Sequence, residues 1–220
     1  MIKLAIFDCD GTLVDSGDTI YRALKETLSA HGHDCPPREI SQKVIGLSLV
    51  EAMQWLVPEG DHQRLAASYK DAFVSFRSRG EVEEPLYDGI PELLDAFEED
   101  GWLLGVATGK SDRGLAHVLA CHGWEKRFSS LHTADRHPSK PHPSMALANM
   151  ADCGAEPAMT VLIGDTSHDM GTARAAGVGA IGATWGYHDH DELVGGGAHY
   201  ITLRPDGVMH AARKWIGEGA

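Results

Sequence analysis

The residues of this 220-residue chain best equipped for chemistry are acidic and fall in two tight groups: Asp8 and Asp10 in FDCDGT, and Asp165 and Asp169 in IGDTSHD. A surface loop carries such acids at no cost. At the buried end of a strand, however, neighbouring carboxylates repel one another and resist desolvation, so a cation or a reaction has to compensate them. Residues two apart on an extended strand face the same side, which lets Asp8 and Asp10 share a site while the side chain of Cys9 turns away. Asp165 and Asp169 lie one turn apart if a helix begins at once. Oxygen ligands without His or Cys suit magnesium. Against the acids stand VATGKS and SKPHP: Thr108, Gly109 and a helix opened by Ser111 offer a hydroxyl and backbone N–H groups to an anion. Lys140 adds a compact positive charge, and Pro141 stiffens the chain after it. A magnesium ion, a lysine and a nest of N–H groups together make a site for a phosphoryl group.

These residues act together only if the fold gathers them. KLAIF (3–7) is a short continuous apolar run of the kind that forms a parallel strand covered on both faces, and LLGVA (103–107), SSLHT (129–133), TVLIG (160–164) and AIGAT (180–184) repeat the pattern. Helical periods separate them: Ile90, Leu93, Leu94 and Phe97 before a stop at Gly101, then Leu115, Val118 and Leu119 after an N-cap at Ser111. Strands alternating with helices predict an α/β fold, a Rossmann-like parallel sheet doubly wound by helices. In such sheets ligands bind at the carboxyl ends of the strands, where the acidic pairs, Thr108–Gly109 and the 135–140 loop all fall. Between Val14 and about Tyr87 the rhythm breaks. Ile20, Leu24 and Leu28, then Val50, Met53, Trp55 and Leu56, then Leu65, Tyr69, Phe73 and Phe76 recur at helical spacing with no convincing strand. The expected organisation is a core of residues 1–14 and 88–220 with a small inserted α-helical cap domain at 15–87.

Composition narrows the partners. With 32 acidic against 19 basic residues, a formal charge of −13 and no stripe of Lys and Arg, nucleic acid is excluded as a partner class. No apolar run reaches membrane-spanning length, and Asp8 comes too early for a signal-peptide core. Four scattered cysteines without a C-x-x-C pair fit free thiols in a reducing cytoplasm, the expected location. A monomer is the default expectation.

In these motifs the chain resembles the haloacid dehalogenase (HAD) superfamily. DCDGT fits its D-x-D-G-T signature, VATGK its second motif, SKPHP its third and IGDTSHD its fourth, in the family's order across residues 8–169. The insert directly after the first motif is similar to a C1-type cap, and the whole is phosphoglycolate phosphatase-like. The resemblance implies a magnesium-dependent phosphatase working through an aspartyl phosphate on a small phosphorylated metabolite, with 2-phosphoglycolate the leading candidate. Asp8 would be the nucleophile and Asp10 the general acid and base, its pKa raised by the surrounding carboxylates. Cys9, Thr108, Gly109 and Lys140 would meet the phosphoryl group, and Lys140 would also balance the charge of Asp8. Asp8, the backbone carbonyl of Asp10, and Asp165 would hold magnesium, with Asp169 orienting Lys140 or water beside the ion. Thr12 would support the turn through a local hydrogen bond. Gly46, Leu47, Ser48 and Leu49 are the candidate specificity loop of the cap, and Arg38 is a further candidate for substrate contact.

The sequence also weighs rival chemistries. Asp10 argues against the dehalogenases, which lack the second aspartate, and against the phosphonate hydrolases, which replace it by alanine. A sugar phosphomutase of the β-phosphoglucomutase type keeps both aspartates and is the enzymatic alternative; a non-catalytic binding protein on the same fold is the other, though no charged member of the constellation is missing. CHGWEKR (121–127) has the C-x5-R spacing of cysteine-dependent phosphatases, but Cys121 falls near the negative end of a helix, which disfavours a thiolate. HDHD (188–191) reads as a solvated loop.

Overall fold

The apolar run Lys3–Phe7 forms β1 near the middle of a six-stranded parallel sheet. In the computed structural model, which describes residues 1–217, β2 is Trp102–Thr108, β3 Ser130–Thr133, β4 Thr160–Gly164, β5 Gly179–Ala183 and β6 Tyr200–Thr202. Their order across the sheet is β3-β2-β1-β4-β5-β6. From β1 the chain winds outward through β2 and β3, then returns to the other side of β1 and winds outward again. The order reverses between β1 and β4, so the crevice where an open α/β sheet binds its ligands lies at the ends of these two strands. The short edge strand β6, in HYITL, has too few apolar residues to stand out by period, and only pairing with β5 defines it.

Both faces of the sheet are covered, as the continuous apolar runs require. Ala5 and Phe7 point into one layer, packed by α5 (Ile90–Glu99), α6 (Asp112–Cys121) and α10 (Val208–Trp215); Leu4 and Ile6 point into the other, packed by α7 (Ser144–Cys153), α8 (Ser167–Ala176) and α9 (His190–Gly195). The alternation follows from the period of two along a strand. No helix among the described residues is long and apolar enough to cross a membrane.

Between β1 and α5 come the helices α1 (Gly17–Ala30), α2 (Arg38–Gln42), α3 (Leu49–Leu56) and α4 (His62–Ser78). They build a core of their own in which Leu24 and Leu28 of α1 and Met53 of α3 meet Leu65, Tyr69 and Phe76 of α4. Trp55, which the periodicity assigns to this core, is instead 54% exposed, because it lies on the opposite side of α3 from Met53. The chain leaves and re-enters the sheet layer side by side: the Asp15 amide donates to Pro85 O at 2.8 Å and the Tyr87 amide to Leu13 O at 3.2 Å.

Candidate active site

The site begins where β1 stops being apolar. The Asp8 amide donates to Ile163 O at 2.9 Å, continuing the pairing of β1 with β4 for one residue and holding the aspartate at the sheet's edge. Its carboxylate is fully buried and lies 2.9 Å from Lys140 Nζ, yet neither oxygen has a well-directed hydrogen bond among the described residues. Burial pushes the Asp8 carboxyl up to about 7 although Lys140 pulls it down, and Asp169 adds to the rise. Buried carboxylate oxygens without partners are costly unless an absent ligand satisfies them.

Asp165 follows β4 by one residue, and Asp169 sits in the first turn of α8. Asp8, Asp165 and Asp169 each offer an oxygen within 4.8 Å of the others, and all three are buried. Asp165 accepts from Thr12 Oγ1 at 2.8 Å and from the Tyr187 amide at 2.9 Å. Its carboxyl is nevertheless pushed well up, first by burial and then by Asp8 and Asp169. Asp169 closes a capping box at the start of α8, with Thr166 as N-cap, and its Oδ1 takes Lys140 Nζ at 2.5 Å. Lys140 is wholly buried; burial works against its charge, but Asp169 and Asp8 outweigh it and hold the ammonium in place. Three carboxylates against one lysine leave an excess of negative charge on oxygen donors. That donor set, with Asp8 held among the described residues only by its ion pair to Lys140, fits a hard divalent cation such as magnesium.

The Asp10 carboxylate stands apart from this cluster. Its Oδ1 accepts from Ser16 Oγ at 2.5 Å and from Lys110 Nζ at 2.6 Å, while Oδ2 has no partner among the described residues. Lys110 also pairs with Glu84 Oε1 at 2.8 Å, in the strand of chain that returns from the helical insert. The crowd of carboxylates expected around Asp10 is therefore replaced by a lysine and a serine. Lys110 and Glu84 escaped the sequence analysis: the lysine was visible in VATGKS, but nothing local showed that it faces Asp10, 100 residues away. Tyr187 was missed for the same reason; its amide meets Asp165 and its hydroxyl accepts from the Ser16 amide at 3.2 Å. Thr12, expected to bond locally, instead reaches Asp165 across the strand gap. Gly11 makes this possible, with φ of 85° and a Cα so near Asp165 that a Cβ would stand 2.2 Å from Oδ2.

The Cys9 side chain is buried in the sheet's core layer, so only its backbone faces the site. Thr108 ends β2 and is buried, with Oγ1 accepting from the Lys110 amide at 3.2 Å. Gly109 lies directly under the loop between α2 and α3: a Cβ there would be 2.6 Å from the carbonyls of both Gly46 and Leu47. The Ser48 amide donates to Ser139 Oγ at 2.8 Å, beside Lys140, and Leu49 lines the cavity that opens from this point. The insert is thus seated on the strand ends, with Lys43–Glu192 at 2.5 Å and Lys70–Asp135 at 2.9 Å bridging it to the sheet layers. Arg38 is tied to Asp18 at the surface and stacks on Tyr21.

Neither decoy motif forms a site. Cys121 ends α6 beside His117, while Arg127 is committed to Asp95 and Glu98. In HDHD, Asp189 and Glu192 form the capping box of α9; His188, expected to be solvated, is buried and accepts from the Ser167 amide at 3.1 Å.

A family model described as haloacid dehalogenase-like hydrolase matches residues 5–183. Among curated proteins, the probable phosphatase IndB of Dickeya dadantii is 36% identical over 198 residues, covering 88% of this chain and 86% of its own. The phosphoglycolate phosphatase of Xylella fastidiosa (strain 9a5c) is 31% identical, covering 86% and 83%. Among solved structures, a predicted phosphatase from Clostridium acetobutylicum superposes with a TM-score of 0.84 at 25% identity over 99% of both chains.

Proposed function

The chain belongs to the haloacid dehalogenase-like hydrolase family, and from that premise we propose that it is a magnesium-dependent phosphatase that hydrolyses small phosphomonoesters through an aspartyl phosphate. The observation that carries this reading is the state of Asp8: buried, beside a lysine, and with both oxygens free of directed protein hydrogen bonds. A structural aspartate at that depth would be satisfied by the protein. The fold and the named relatives are consistent with it.

In this reading Asp8 attacks phosphorus, a covalent route open to a carboxylate. Lys140 lies close enough to offset charge on Asp8 and on the phosphoryl oxygens, and Asp169 keeps its ammonium in position. Thr108, the Gly109 amide and the backbone after Asp8 receive the remaining oxygens. Asp8 and Asp165, with the Asp10 carbonyl, would hold magnesium, which supplies positive charge against the anionic substrate. Asp10 protonates the leaving oxygen through Oδ2 and then takes a proton from the attacking water, while Ser16 and Lys110 fix the carboxylate through Oδ1. Residues 15–87 act as a cap that excludes bulk water over Asp8. The free thiols and the absence of a spanning helix among the described residues fit work in the cytoplasm.

The test is phosphate release from a panel of metabolite esters with magnesium, alongside trapping of acid-stable phosphoprotein. Turnover by wild type and none by Asp8→Asn is expected. Full activity of Asp8→Asn would end the proposal, and a phosphoenzyme that discharges only to a sugar phosphate would make the protein a mutase.

A further inference from the structure

The helical insert and the start of α6 enclose a cavity of about 350 Å³ that begins at Asp10 and Gly109. Its walls are apolar, with Leu24, Val44, Met53, Tyr69 and Phe73 contributing from the loop and helices of the insert. Of the charges along it, Lys110 is spent on Asp10 and Glu84 and Lys70 on Asp135, while Asp71 and Arg113 form no ion pair among the described residues but are exposed to solvent. Arg77 is different. It lines the cavity one helical turn beyond Phe73, forms no ion pair among the described residues, and has a buried Nε with no acceptor.

An ester whose phosphorus lies at Asp8 must send its alcohol toward Asp10, because the acid has to reach the leaving oxygen. The space beyond Asp10 is this cavity, so its chemistry selects the alcohol. Glycolate would occupy little of it and would desolvate a carboxylate against aliphatic and aromatic walls, an arrangement that costs affinity. Nor can two carbons span the Phe73 ring, which lies 6.0 Å from Lys110 Nζ, and the further turn of about 5.4 Å along α4 to Arg77. An aromatic ring displaces water from the same walls and fills a volume within the range of small-molecule pockets.

We infer that the preferred substrate is the phosphate ester of an apolar alcohol of aromatic-ring size, with an anionic acceptor at its far end for Arg77, rather than of a two-carbon acid. The inference rests on the phosphatase reading and narrows it.

Three esters separate the possibilities: phosphoglycolate, benzyl phosphate and 4-carboxybenzyl phosphate, each with magnesium. Burial of the ring predicts kcat/KM for benzyl phosphate roughly tenfold to a hundredfold above that for phosphoglycolate. The carboxybenzyl ester should be better still, and Arg77→Gln should remove only that last advantage. Val74→Asp, which puts a charge into the half-buried wall, should lower kcat/KM for benzyl phosphate far more than for phosphoglycolate. Phosphoglycolate turned over best would overturn the inference, and a carboxybenzyl ester no better than benzyl phosphate would overturn the part assigned to Arg77. Calorimetric binding of benzylphosphonate against phosphonoacetate keeps the question separate from catalysis. If no ester is hydrolysed, the phosphatase reading fails, while tighter benzylphosphonate binding would still support the cavity's preference and equal or weaker binding would refute it.

Discussion

At the scale of single residues the site is a problem of buried charge. Asp8 and Asp169 share one lysine, Asp165 pairs with no cation among the described residues, and the raised carboxyls of Asp8 and Asp165 record the cost. Asn at 165 can keep both local bonds, accepting from the Tyr187 amide and donating to Thr12 Oγ1, so Asp165→Asn should match or exceed the metal-free wild type in thermal midpoint. It should also lose the midpoint gain that magnesium gives wild type; a variant several degrees less stable would show that Asp165 is structural. The pH dependence has a defined sign. An acid raised from 3.8 to about 7 holds its proton in the folded state, so its contribution is intact below 3.8 and is lost as pH climbs through about 7. The metal-free midpoint of Asp8→Asn should therefore gain on wild type between about pH 5 and pH 8, histidine contributions cancelling in the difference. A difference constant over that interval would mean that Asp8 ionises normally.

At the scale of elements, the decisive contact is between the α2–α3 loop and the end of β2. The carbonyls of Gly46 and Leu47 approach Gly109 so closely that any side chain there pushes the loop away. The single methyl of Gly109→Ala should lower kcat/KM by about tenfold or more, since the loop completes the enclosure on which positioning depends. The sheet layer, with its separate core, should unfold within a few degrees of wild type. An alanine variant with full activity would show that the seated position of the insert is not the working one. The insert's apolar residues form their own cluster, and beside the two adjacent backbone passages it meets the sheet layers through Lys43–Glu192, Lys70–Asp135 and Ser48–Ser139.

At the scale of the molecule, charge and enclosure set what the protein can act upon. A chain of net charge −13 with an acid-rich site repels anionic substrates until a cation compensates it, so chelation of magnesium should abolish turnover, and excess chelator with undiminished activity would refute the metal assignment. Calcium should inhibit, because its larger and less regular coordination does not hold the in-line geometry that magnesium supports. If residues 15–87 work as the proposed cap, a folded phosphoprotein does not deliver its side chain to Asp8. Its dephosphorylation should be negligible beside that of a small ester, and comparable rates would require a different route to the site.

Much of this was legible in the chain itself. The apolar runs of β1, β2, β4 and β5, the helical spacing of the insert and the four motif segments are local patterns, and a doubly wound parallel sheet carries its catalytic residues at strand ends, so order along the sequence already placed Asp8, Thr108, Lys140 and Asp165 near one edge. What local pattern could not supply was contact between segments far apart. That Asp10 meets Lys110, itself shared with Glu84, rather than the other site carboxylates, that Thr12 serves Asp165, and that Gly109 packs under the insert depend on how strands register and how a helical layer docks. These contacts join residues separated by tens to more than a hundred positions, and no period or spacing encodes such a distance. The cavity beyond Asp10 belongs to the same class: its apolar residues read in sequence as core, and only the packing of α1, α3 and α4 over α6 left space among them.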